Sequence, residues 1–320
     1  MTKKERVLAA IKSQEVDQIP SSFSLHFPTE VAYGDAGVQA HLDFFKATDT
    51  DILKIMNENL VPGFGKMTCA ADYQRQIPTL SMKDDFMVQQ MDFTRKILDQ
   101  CDPTAFTVGT LHGAVASGLH PLEKAGMNYD EGRAFQAKML HEDPQATLSA
   151  MQRITDVMCD LAQAYIKSGV DAVYYAALGA ESRYLTDEEF ARWIAPLDLQ
   201  IMKAIHEAGG YCVLHMCKDG LNMHRYANYA PYADIVNWGV YEAPFSLEEG
   251  RKLFPGKCVL GGLPNRHGVL VDGDEQEVRK AVRNVIQQFG RKGFILGADC
   301  TLATEQDLKL LRAAVEAARE

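Results

Sequence analysis

The chain reads as an α/β protein of the (β/α)8 TIM-barrel class, on three observations. Eight apolar runs of strand length alternate with amphipathic helical stretches along 320 residues, the pattern of a parallel sheet with helical crossovers. Helix-start signals of the Ser/Thr/Asp-x-x-Glu/Asp kind stand between the runs. Polar and metal-capable side chains gather at the C-terminal ends of the runs, where a barrel opens its mouth, while the run interiors are almost wholly apolar. A doubly wound open sheet is the alternative arrangement of the same pattern.

The opening MTKKERVLAAIKSQE has Val7, Leu8 and Ile11 at helical spacing behind a Thr2/Glu5 start signal, and adds a helix outside the repeat. The strands follow as IPSSFSLHF (19–27), DILKIMN (51–57), AFTVGTLHG (105–113), DAVYYAAL (171–178), YCVLHMC (211–217), DIVNWG (234–239), KCVLGGL (257–263) and GFILGADC (293–300). Thr186 with Glu189 opens a helix that runs on past a kink at Pro196 and stops at Gly209 or Gly210. Ser246/Glu249, Asp274/Glu277 and Thr304/Asp307 open further helices, the last two predicted over 274–289 and 304–318. The stretches 58–85 and 112–143 exceed plain strand-to-helix connections and are expected as long loops over the C-terminal face. No linker divides the chain, so residues 1–320 form a single domain.

A formal charge of −10 and a pI near 5.4, without any block of consecutive Lys/Arg, exclude nucleic acid and anionic membrane surfaces as the main partner. The charged N-terminal stretch has no signal-peptide core and no run reaches membrane-spanning length, so a cytoplasmic location is expected. Seven cysteines are then reduced thiols. Cys69, Cys101, Cys159, Cys212 and Cys258 read as small buried hydrophobes.

The remaining two close a motif. His215 and Cys217 lie at i and i+2 of a strand and share one face, and Cys300 ends the eighth strand. Nine His and seven Cys in 320 residues yield about 0.2 His-x-Cys tripeptides by chance, so placement carries the argument. One imidazole and two thiolates suit Zn2+ with a fourth position open. Glu181, after strand four, is a candidate fourth ligand or catalytic carboxylate. His112 is a candidate for orienting substrate or moving a proton. Asn57, Tyr175 and Asn237 are candidate substrate-binding residues, although only one of Tyr174 and Tyr175 can face the interior. His26, His120 and His267 are weaker candidates, and Gly261–Gly262 reads as a packing contact.

The segments KKERVLAAIKSQEVDQIP, LTDEEFARWIAPLDLQIMKAIHEAGGYCVLHMC, IVNWG and ILGADCTLATEQDLKLLRAAVEAARE resemble the uroporphyrinogen decarboxylase superfamily. Within it the likeness is to the zinc-dependent corrinoid methyltransferases of the methylcobamide:coenzyme M type. The resemblance implies a TIM barrel, zinc on His215, Cys217 and Cys300, and methyl transfer between a thiol, ether or amine and methylcobalamin. No corrinoid-binding Asp-x-His-x-x-Gly is present, so the corrinoid would be supplied by a partner protein. The decarboxylases carry an arginine-rich segment near the N-terminus for a polycarboxylate, whereas this chain has no Arg between Arg6 and Arg75. A haem-pathway decarboxylase remains the alternative, as does a non-enzymatic zinc-binding accessory protein. The related decarboxylases further imply a homodimer.

Overall fold

The computed structural model describes residues 1–320. Its strands are β1 (Ser21–Ser22), β2 (Ile52–Ile55), β3 (Phe106–His112), β4 (Ala172–Ala177), β5 (Tyr211–Met216), β6 (Ile235–Trp238), β7 (Cys258–Leu263) and β8 (Phe294–Ala298). All neighbours are parallel, in the order β1-β8-β7-β6-β5-β4-β3-β2, which is a (β/α)8 barrel. The β1/β2 seam is closed through Asp51, whose N–H donates to the Ser21 carbonyl at 3.0 Å and whose Oδ2 accepts from the Ser21 N–H at 2.9 Å.

Inward residues at alternate positions, among them Ile52, Phe106, Val108, Ala172, Val213, Ile235 and Ile295, fill the barrel. The helix Lys3–Ile11 packs Val7 and Ala10 against this cluster and plugs the bottom, and its Arg6 reaches up to Asp51. With the bottom sealed, access to the interior is from the C-terminal end of the strands.

Four of the start signals are reciprocal capping boxes, at Thr2/Glu5, Thr186/Glu189, Ser246/Glu249 and Asp274/Glu277. The fifth differs. The last helix spans Leu308–Arg319 with Asp307 as its cap, and Thr304 Oγ1 instead donates to the His26 carbonyl at 2.9 Å. Residues after β8 form no helix before Leu308: Leu302 bridges to Leu25, with its N–H on the Ser24 carbonyl, and Thr304–Glu305 make a turn. At Pro196 a π-turn over Phe190–Ile194 leads into the helix Ala195–Glu207, since proline offers no N–H to the regular ladder. Gly209 then takes φ +86° and ends that helix.

The long stretches are partly helical rather than loops: Ala70–Gln76 lies in the first, Ala114–Lys124 and Tyr129–Glu142 in the second. Both leave from strand C-terminal ends and so build the mouth's rim. Cys212 and Cys258 are buried, but Cys101 and Cys159 are only half-buried and Cys69, the residue before a helix, is exposed. Gly262 is a packing contact, since a Cβ there would lie 2.8 Å from Val285.

Candidate metal centre at the barrel mouth

β5 turns Val213 and His215 inward, Cys217 follows immediately, and Cys300 follows β8. Their ligand atoms lie within 4.8 Å of one another, and no other His, Cys, Asp or Glu joins them in such a group. Cys300 Sγ is 3.2 Å from His215 Nε2 and 3.8 Å from Cys217 Sγ. A tetrahedral zinc ion with Zn–S of about 2.3 Å and Zn–N of about 2.05 Å sets its donors about 3.8 Å (S···S) and about 3.5 Å (S···N) apart. The two spacings from Cys300 therefore match such an ion to within a few tenths of an ångström, and all three donors lie within 4.8 Å of one another.

The histidine is prepared for ligation by Asn237. Asn237 Nδ2 donates to the carbonyls of Leu260 (2.9 Å) and Ala298 (3.1 Å), which dictates the amide's orientation. Its Oδ1 then accepts from Tyr174 Oη at 3.0 Å and from His215 Nδ1–H at 2.6 Å. Nδ1 thus carries the proton, and the Nε2 lone pair points to the thiols. Tyr174 also stacks on the imidazole, with ring centroids 5.1 Å apart. One buried amide on β6 ties together β4, β5, β7 and β8 around His215.

The two thiols share charge unequally. Cys300 is held well below the usual thiol range, chiefly by the hydrogen bond from Cys217 and despite burial, with Lys54 assisting. Cys217 is pushed up by the same hydrogen bond and by burial. Beside them opens a cleft of about 280 Å³ lined by Cys217, Lys218, Asp219, Glu242, Asn265, Arg266 and Cys300. Lys218 holds φ +86°, an uncommon value for a residue with a side chain, directly after a ligand-type cysteine.

Several candidates stand elsewhere. Glu181 does not join the sulfur group: it is fully buried and accepts from Arg133 Nε (3.3 Å), Arg133 Nη2 (3.2 Å) and Tyr129 Oη (2.7 Å). Those partners hold its proton affinity below the carboxylate norm against the opposing effect of burial. Tyr175 faces outward, its hydroxyl donating to Asp198 behind the barrel, and Tyr174 is the inward tyrosine. Asn57 is buried and accepts from the Asn59 N–H at 3.1 Å, capping its own turn. Asn237 has all its polar atoms engaged by protein and supports His215 rather than facing substrate.

His112 stands at the mouth edge-on to buried His120, with centroids 5.1 Å apart. Burial pushes it down to about 4, so it is a neutral imidazole at physiological pH. His26 pairs with Glu58 at 2.6 Å on the rim, and His267 packs edge-on to Tyr241. Lys54, Tyr129 and Arg133 escaped the sequence reading, which had left open whether Tyr174 or Tyr175 faces the interior. Lys54 had a signal, a lysine inside the apolar run DILKIMN; Arg133 had none, because its partner is 48 residues away.

A family model described as Uroporphyrinogen decarboxylase (URO-D) matches residues 127–320, a span that includes all three ligand-type residues. No curated protein sequence matches the chain. Among solved structures, a methyltransferase from Methanosarcina mazei aligns with TM-score 0.75 at 13% identity, covering 99% of this chain and 98% of its own. A B12-independent methionine synthase from Shewanella sp. W3-18-1, in complex with selenomethionine, aligns with TM-score 0.58 at 11% identity, covering 94% and 96%. At these identities both likenesses speak for the fold.

Proposed function

The chain belongs to the uroporphyrinogen decarboxylase family, whose members are enzymes, and from that premise we propose that it is a zinc-dependent methyltransferase. It moves a methyl group between a small molecule (a thiol, ether or amine) and a corrinoid carried on a separate protein. The observation that carries this reading is the convergence of His215, Cys217 and Cys300 at the open end of the barrel, with donor spacings suited to zinc.

When bound there, zinc supplies Lewis acidity at one open position, lowering the proton affinity of a thiol or the basicity of a leaving oxygen or nitrogen. The protein's own contribution is preorganisation. Asn237 keeps the His215 proton on Nδ1, and Tyr174 fixes the plane of the imidazole. The Glu181–Arg133–Tyr129 network anchors the helix Tyr129–Glu142 to the segment after β4. Lys218 Nζ lies 3.8 Å over the Tyr129 ring, so the same network steadies the turn beside Cys217. The adjoining cleft, about 280 Å³, suits a small substrate. In this proposal the rim built from 58–85 and 112–143 is where the corrinoid protein docks. No helix is long and apolar enough to cross a membrane.

The test is elemental analysis of the full chain and of its Cys217→Ser and Cys300→Ser variants, followed by methyl-transfer assays with a cognate corrinoid protein. Near-stoichiometric zinc in the parent, lost in both variants, together with corrinoid-dependent transfer, is the expected result. A metal-free protein that decarboxylates a tetrapyrrole or smaller acid would return the reading to the decarboxylase. Zinc that never takes up a thiol would point to the accessory protein.

A further inference from the structure

The cleft beside Cys217 and Cys300 is walled by three consecutive strand ends: Lys218 and Asp219 follow β5, Glu242 follows β6, and Asn265 with Arg266 follows β7. Of the side chains lining it, Asp219 alone forms an ion pair, with Arg183 at 3.6 Å. Glu242 and Arg266 carry opposite charges into one cleft, yet engage neither each other nor any other side chain. Lys218 Nζ meets only the face of Tyr129, 3.8 Å from the ring centroid, so its N–H donors have no protein acceptor.

Asn265 differs from these in being 3% exposed. Its Nδ2 donates to the Thr301 carbonyl at 3.1 Å, which settles which end of the amide is the nitrogen. Oδ1 accepts from no protein donor and is not among the side-chain atoms sealed from solvent, so it opens on the cleft that the residue lines. A group from outside the protein must supply its hydrogen bond.

The cleft thus holds two acceptors without donors, Asn265 Oδ1 and the Glu242 carboxylate, and two cations without anions, Arg266 and Lys218. A neutral or singly charged molecule would satisfy one set and desolvate the other. One that carries both an ammonium and a carboxylate satisfies both. Asn265 and Arg266 are consecutive, so acceptor and guanidinium stand side by side, as the two groups on one α-carbon do.

We infer that the small molecule held at this centre is a zwitterion of the α-amino-acid class, its ammonium on Asn265 Oδ1 and Glu242 and its carboxylate on Arg266 and Lys218. This rests on the zinc methyltransferase reading above and narrows its substrate class. The amino acid's side chain then carries the methyl-bearing or methyl-accepting atom toward Cys217 and Cys300, and a cleft of about 280 Å³ limits that side chain to a few atoms. Arg266 and Glu242 are exposed and set specificity without supporting the fold.

The test uses the full chain with its zinc content measured first, then calorimetric titration with O-methyl-L-serine and O-methyl-L-homoserine. Each is compared with its N-acetyl form, which lacks the ammonium, and its carboxamide, which lacks the carboxylate. The parent should bind at least one zwitterion about tenfold or more tightly than either derivative. Arg266→Gln should lose most of the preference over the carboxamide while binding the carboxamide as the parent does. Glu242→Gln should likewise lose the preference over the N-acetyl form alone. A zinc-loaded parent that binds neither zwitterion, or binds all forms alike, overturns this inference and leaves the metal site standing. A preference that survives intact in both variants comes from chelation of the metal and overturns it as well. A parent that takes up no zinc overturns the metal reading itself.

Discussion

Replacing Asn237 separates the two jobs that its amide performs. The residue is 1% exposed and makes four hydrogen bonds, to Tyr174, His215, Leu260 and Ala298. At about 0.5–1.5 kcal/mol net per bond, Asn237→Ala forfeits roughly 2–6 kcal/mol and leaves buried groups unpaired; about 3–5 kcal/mol is the working figure. For a chain of 320 residues, with an unfolding entropy of about 2.1 cal/mol/K per residue, that lowers Tm by roughly 4–8 °C. Loss of the acceptor on His215 Nδ1 should also weaken metal binding by about 10–100-fold. Asn237→Asp is the informative partner. It keeps an acceptor for His215 and Tyr174 but sets an oxygen against the carbonyls of Leu260 and Ala298. It should therefore destabilise the fold while metal affinity stays within a few-fold of the parent. Scanning calorimetry of the apo-protein reads stability, and competition with a chromogenic chelator reads metal affinity. If Asn237→Ala leaves both unchanged, or if the Asp variant loses metal as badly as the Ala variant, the tautomer argument is wrong.

Other perturbations probe the scaffold. Asp198 accepts from the hydroxyls of Tyr175 and Tyr229, and burial outweighs them to hold its carboxyl at about 7 against 3.8 in the open chain. The native state thus keeps a proton that the unfolded chain releases. That contribution is fully present below pH 3.8 and is lost as pH rises through about 7. The Tm of the parent relative to Asp198→Asn should therefore fall between pH 5 and pH 8, and a flat difference would contradict the assignment. Gly250→Ala should cost about 2–3 kcal/mol in denaturant unfolding, because its Cβ would come within 1.9 Å of Trp238, which is itself held by a hydrogen bond to the Phe245 carbonyl. Arg133→Met strands buried Glu181 and should cost about 3–5 kcal/mol, with a good part recovered in the Arg133→Met/Glu181→Leu double variant. Equal losses in the single and double variants would refute that account.

Much of the architecture was legible in the chain. Each of the eight apolar runs contains one strand, because parallel barrel strands are buried on both faces and read as continuous hydrophobic segments. Four of five helix starts were legible because a capping box is a local arrangement of residues three apart. The fifth, at Thr304, failed because a distant segment, Ser24–His26, competes for the residues after β8. His215, Cys217 and Cys300 could be nominated from strand-end position alone, since every strand of a parallel barrel ends at the same mouth.

What local reading could not reach was facing and partnership. A strand buried on both sides shows no polar alternation, so nothing in DAVYYAAL says that Tyr174 and not Tyr175 points inward. That is decided by the β4–β5 register, which sets Tyr174 beside Val213 and Ala176 beside His215. Glu181 looked free to bind a metal until the fold brought Arg133 and Tyr129 onto it from another helix. Asn237 looked like a substrate contact until four strands closed around it. The order and kind of the elements follow from short-range periodicity and capping. The identity of the groups around the candidate metal site follows from barrel closure, which joins residues far apart in the chain and has no trace in any local stretch.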